Sequence, residues 1–190
     1  MTFTESWYTG AQALFLGQLA RITKPLRGTV LEFGCWEGKS TCALANAVMP
    51  DEVMAVDTWQ GNLDESSGHE SVTLARQRDV FATFQSNVAA LTQGNVRPVV
   101  SDCHEFMTTF DEPIKLCHID ACHDFQSVKR SIDAVLPLVV KGGILCGDDI
   151  IYAHKLRDDL DGGVERAVSE CLVGYKTRGN LWYWVRPVVD

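Results

Sequence analysis

Apolar residues recur at helical spacing through Ala11, Leu14, Phe15, Leu19 and Ile22, and the run stops before Lys24-Pro25, which predicts a helix over 7–23. The pattern then changes to short unbroken apolar runs. Thr29–Phe33 and Val53–Asp57 read as buried strands, the second ending in an acid. Between them a turn over 34–38 leads into a helix over 40–48, stopped by Pro50. A polar stretch over 59–70, bearing Gly and Ser, is long enough to be a functional loop. Leu74, Val80, Phe81, Phe84 and Val88 predict one helix over 72–91. Val96–Val100 reads as a strand, and its Pro98 puts it at a sheet edge. A short helix over 104–110 follows. Ile114–Ile119 is the next strand, then a helix over 125–140 and a strand over 142–147. The stretch 150–163 is charged and irregular, and 164–172 is helical. Two final strands, 173–175 and 181–185, are joined across 176–180 by a Gly-Asn turn.

Strand and helix alternate up to residue 149, which predicts an α/β fold: a doubly wound, mostly parallel sheet with helices on both faces. The terminal hairpin finishes it with antiparallel pairing. No repeat, linker or low-complexity segment divides the chain, so 1–190 reads as one domain, with 1–27 a helical N-terminal segment whose Trp7 and Tyr8 would fold over the site as a lid.

This topology gathers acids. Asp120 follows one parallel strand and Asp148-Asp149 the next, with a crossover helix between, so all three carboxylates belong to the same edge of the sheet. Ligands of open α/β sheets bind at that edge. Three converging carboxylates repel unless a hard cation neutralises them, so the pattern points to a metal-assisted site.

Composition narrows the partners. A 46% apolar, 22% charged chain is an ordinary globular one, and a net charge of −8 with scattered Lys and Arg argues against nucleic acid. No stretch has the form of a signal peptide or the length of a membrane span, so a cytoplasmic protein is expected. The seven cysteines include no C-x-x-C pair, and the three Cys-His dipeptides lack zinc-ligand spacing. Aromatic residues near both termini fit a homodimer contact.

The first strand-to-helix turn, Glu32-Phe33-Gly34-Cys35-Trp36-Glu37-Gly38-Lys39-Ser40, admits several readings. A dinucleotide turn would need a second glycine where Trp36 stands. A P-loop would end in Gly38-Lys39-Ser40 but would need its leading glycine at Phe33; a phosphotransferase or NTPase stays an alternative, as does a non-catalytic cofactor-binding domain.

From this turn onward the chain resembles the class I methyltransferases, and within them the small metal-dependent O-methyltransferases of catechol and sugar type. The resemblance runs over about 30–185. It rests on Glu32, Gly34, Gly38 and Ser40, on Asp57, on Ser101-Asp102, on 119–123, on Gly142-Gly143-Ile144 and on Asp148-Asp149. It implies an S-adenosylmethionine cofactor. Glu32 and the Gly34 turn would hold the methionine end, Asp57 the ribose hydroxyls, and Asp102 with Ser101 the adenine. Trp59 would stack on or cover the cofactor. Asp120, Asp148 and Asp149 would bind the divalent cation: magnesium, with manganese or calcium as substitutes. His123 stands where the catechol type carries a lysine base and sugar-directed relatives carry histidine; a neutral imidazole suits removal of a hydroxyl proton. The acceptor would be a hydroxylated small molecule: a sugar, a phenol or a natural product. His69 and His154 flank the expected mouth without an assigned role.

Overall fold

In the computed structural model, which describes residues 3–62, 70–151 and 163–188, seven strands form one sheet in the order β3-β2-β1-β4-β5-β7-β6. The strands are β1 Thr29–Phe33, β2 Val53–Asp57, β3 Val96–Val100, β4 Ile114–Ile119, β5 Val139–Gly147, β6 Lys176–Arg178 and β7 Leu181–Val185. The helices are α1 Gly10–Thr23, α2 Lys39–Val48, α3 Glu70–Gln77, α4 Val80–Leu91, α5 Cys103–Met107, α6 Phe125–Val135 and α7 Gly163–Cys171. β1 to β5 pair in parallel, and β7 and β6 close the sheet antiparallel. β3 lies at the edge, as Pro98 requires.

Alternate strand residues feed two cores. Val30, Leu116 and Ile144 pack with Leu16, Leu44 and Val48 of α1 and α2. Leu31, Cys117 and Leu145 pack with Ile132 of α6 and Val168 of α7 on the other face. Burying one such aliphatic side chain is worth about 2 kcal/mol. That exceeds the few tenths of a kcal/mol separating most residues in helix propensity, so burial fixes register and face.

Three expectations change. The helix expected over 72–91 is two helices, because the run Arg76-Gln77-Arg78-Asp79 offers no apolar residue to the core and the Asp79 carboxylate caps α4 by accepting from the Ala82 N–H at 2.9 Å. The penultimate strand lies on Lys176–Arg178 rather than on 173–175. Pairing of Lys176 with Tyr183 and Arg178 with Leu181 leaves a two-residue turn, Gly179-Asn180, and that tight loop sets the register against the apolar run; Val173 is 92% exposed. Pro137 also ends α6 early, in a 3-10 turn over Leu136–Leu138. No helix among the described residues is long and apolar enough to cross a membrane.

From β1 the chain winds outward through β2 and β3, then returns to β4 on the other side of β1. The crevice between the carboxyl ends of β1 and β4 is therefore the point where a ligand site is expected.

Candidate functional site

A cavity of about 490 Å³ opens at that crevice. Its first wall is the turn after β1. Gly34 has φ 79°, and a Cβ there would overlap the Asp120 carbonyl, so only glycine lets the ends of β1 and β4 approach this closely. Asp57, ending β2, holds the turn: its Oδ2 accepts from the N–H groups of Cys35 (2.6 Å) and Trp36 (2.9 Å), and its Oδ1 from the N–H of Trp59 (2.6 Å). Burial pushes the Asp57 carboxyl up, and the three backbone donors offset only part of that. Trp36 and Trp59 both have positive φ, 47° and 53°, an unfavourable backbone for a bulky residue. The carboxylate that binds both amides supplies the compensation.

Next to Asp57, Ser101 and Asp102 follow β3 and line the cavity too. Asp102 caps α5 through Oδ1, which accepts from the His104 (2.9 Å) and Glu105 (3.0 Å) N–H groups. Asp102, Cys103 and His104 are close enough to hold a cation, but their proximity follows from this cap at successive positions.

The far end is acidic. One ligand atom each from Asp120, His123 and Asp149 lies within 4.8 Å of the others. His123 Nε2 is 2.9 Å from Asp149 Oδ2, and Asn180 donates from Nδ2 to Asp149 Oδ1 at 2.7 Å. Asn62 Nδ2 sits 3.5 Å from the other ring nitrogen, His123 Nδ1. Asp149 adopts φ 62°, a third strained position at this edge. Burial first, then the charges of Asp148 and Asp149, lift the Asp120 carboxyl well above the carboxylate range. Burial and Asp149 push Asp148 up to about 6. Asp148 lines the same cavity but lies outside the tight trio; Gln12 of α1 donates to its Oδ2, while Oδ1 is buried without a hydrogen-bond partner among the described residues. One buried and two half-buried carboxylates that repel one another, with a spare acceptor atom, are a donor set fitted to a hard divalent cation.

Of the expected site residues, Gly34, Ser40, Asp57, Ser101, Asp102, Asp120, His123, Asp148 and Asp149 line the cavity. Glu32, Gly38 and Trp59 do not. Glu32 is fully buried behind the turn, where it accepts from Thr41 Oγ1 and lies 3.1 Å from His118 Nδ1. A strand residue whose side chain points away from the crevice meets the helix behind it. Gly38 caps α2 against Phe84. Trp59 packs between Phe81 and Phe84 and donates from Nε1 to the Trp36 carbonyl at 2.9 Å. His69 and His154 lie outside the described residues.

N-terminal residues complete the wall: Trp7 and Tyr8, which the sequence reading put over the site, line the cavity together with Phe3 and Glu5, to which it gave no role. They are latched there. Arg78 pairs with Glu5 at 2.6 Å and also with Glu37, Thr4 N–H donates to Glu37 Oε2 at 2.7 Å, and the Trp7 and Trp36 rings sit 5.3 Å apart. Tyr8 is 8% exposed, and its hydroxyl has no hydrogen-bond partner among the described residues. Burial, then Asp120 and Asp148, push its phenol up, so it stays a donor.

A family model of methyltransferase domains matches residues 31–150. No curated protein matches the sequence. Among solved structures, cofactor-bound Rv0187 from MTB is 21% identical with a TM-score of 0.68, covering 95% of this chain and 82% of that one. The O-methyltransferase TomG of Streptomyces achromogenes, involved in tomaymycin synthesis, is 18% identical with a TM-score of 0.68, covering 97% and 83%. CalS11, a TDP-rhamnose 3'-O-methyltransferase of calicheamicin biosynthesis, is 16% identical with a TM-score of 0.60, covering 93% and 80%. At such identities the likeness is one of fold.

Proposed function

The chain belongs to the methyltransferase-domain family, and on that premise we propose that it is an S-adenosylmethionine-dependent, divalent-metal-assisted O-methyltransferase of a hydroxylated small molecule, a sugar, phenol or natural product. The observation that carries this reading is one cavity lined on the β2–β3 side by Asp57 and Ser101-Asp102, on the β4–β5 side by Asp120, His123 and Asp149, with the Gly34 turn between them. S-adenosylmethionine supplies a methyl group on a sulfonium, and the cation supplies fixed positive charge that lowers the pKa of an acceptor hydroxyl.

The residues divide the rest of the work. The Gly34 turn and Ser40 would face the methionine end, Asp57 the ribose, and Ser101-Asp102 the adenine; Glu32, Gly38 and Trp59 would act from behind the wall by holding the turn and α2. Asp120, Asp148 and Asp149 would hold the cation, magnesium ahead of manganese or calcium. His123 would take the acceptor proton. Its Nε2–H faces Asp149, so Nδ1 is the basic atom and the carboxylate stabilises the imidazolium. The trio within 4.8 Å also supports a second reading, in which His123 is itself a ligand.

A cytoplasmic setting, a homodimer and a single domain over 1–190 belong to the same proposal; seven free cysteines suit a reducing compartment. The test is methyl transfer from labelled S-adenosylmethionine across a panel of sugars, phenols and polyketides, with magnesium and with chelator. Transfer that needs the cation supports the reading. Transfer that survives chelation removes the metal from it.

A further inference from the structure

Gln12, one turn into α1, is 9% exposed and does not line the cavity, yet its side chain ends on an acid of the cation site. Its Oε1 is already committed. It accepts from the Thr9 N–H at 2.8 Å and from Thr9 Oγ1 at 2.6 Å, the reciprocal half of the box that starts α1. With two donors on the oxygen, the amide has one sensible orientation, and Nε2 must face Asp148 Oδ2. A glutamate would close the same box equally well, but would set a carboxylate against Asp148. The choice of glutamine therefore answers to Asp148 rather than to the helix.

We infer that Gln12 is a positioning residue for the cation site: its amide, anchored by Thr9, holds Asp148 Oδ2 and leaves the buried, unpartnered Oδ1 as the oxygen offered to a divalent cation. The inference rests on the proposed metal-assisted function. It makes the start of α1 part of the metal centre, although Gln12 and Asp148 are 136 positions apart. Removing a partner that orients a metal ligand typically costs about 10- to 100-fold in metal affinity.

The test titrates Mn²⁺ into the full chain, with S-adenosylhomocysteine present, for wild type, Gln12→Met and Gln12→Asn. Met keeps the volume and removes the donor. Asn stays polar, which protects the fold, but is one methylene too short to span Thr9 and Asp148. Both variants are expected to weaken Mn²⁺ binding roughly tenfold or more, while the affinity for S-adenosylhomocysteine stays within about twofold. A folded variant that keeps wild-type Mn²⁺ affinity overturns the inference, and so does parallel loss of both ligands, which would mean a purely structural role. Wild-type protein that binds S-adenosylhomocysteine but no Mn²⁺ overturns the metal reading and this role with it. Binding of neither overturns the proposed function as a whole.

Discussion

At the scale of single residues, His123 and Tyr8 carry the sharpest expectations. If His123 is the base, His123→Ala abolishes turnover and leaves Mn²⁺ affinity close to wild type. If it is a ligand, Mn²⁺ affinity falls with turnover, and calorimetry on the variant separates the two. Tyr8→Phe deletes a buried hydroxyl without a partner, which is expected to leave the melting temperature unchanged or raised, since removing an unsatisfied group removes its desolvation cost. If that hydroxyl meets the acceptor, the same variant lowers kcat/KM. The positions of Asp57, Asp102, Asp120 and the Asp148-Asp149 pair at one sheet edge were legible in the sequence because each closes a strand or lies within two residues of its end, and strand direction is fixed by the alternation of elements. That Glu32 and Trp59 lie behind the cavity wall was not legible, for a physical reason. Motif spacing locates a backbone position, but whether a side chain faces the crevice or the helix behind depends on pleat and packing, and these two face inward.

Among elements, the N-terminal segment and the α3–α4 junction act together. Arg78 sits in the break between α3 and α4, and reaches both Glu5 and the buried Glu37. Replacing it leaves Glu37 as an unpaired buried charge, a loss that commonly costs about 3 kcal/mol. Arg78→Met is therefore expected to lower the melting temperature and to speed amide exchange over residues 3–9, with the rest of the sheet unchanged; uniform exchange throughout would deny the latch. Neither the break nor the latch follows from apolar periodicity. Helical spacing continues across 72–91, and the interruption comes from a local cap at Asp79 competing with the helix ladder. The terminal hairpin likewise follows turn chemistry instead of hydrophobicity: β6 is polar and exposed throughout.

For the whole molecule, acidity and cation binding should be linked. Asp120 and Asp148 are both raised, chiefly by burial. A carboxyl raised in the folded state stabilises it fully below its unfolded pKa, about 3.9, and loses that contribution as pH climbs through the folded value. For Asp148 that loss begins near the unfolded value and is complete once the pH has passed about 6. Without a cation, the protein should therefore lose stability between roughly pH 4 and 6, and Mn²⁺ should raise the melting temperature more at the upper end of that range than at the lower. Equal shifts at both ends would contradict the cluster as the cation site. The doubly wound sheet and the position of the crevice were legible from the order of elements alone, since connection handedness and strand direction leave few alternatives. The Arg78 latch and the reach of α1 to the acids were not, because they depend on contacts far apart in the chain, such as Gln12 with Asp148. The most direct test of the central claim is calorimetric titration of S-adenosylhomocysteine into the full chain, with magnesium and then with chelator. Single-site binding in both conditions is the expected result, because Asp57 and Ser101-Asp102 follow β2 and β3 while the acidic trio follows β4 and β5 on the other side of β1. No binding in either condition would contradict the proposed activity at its root.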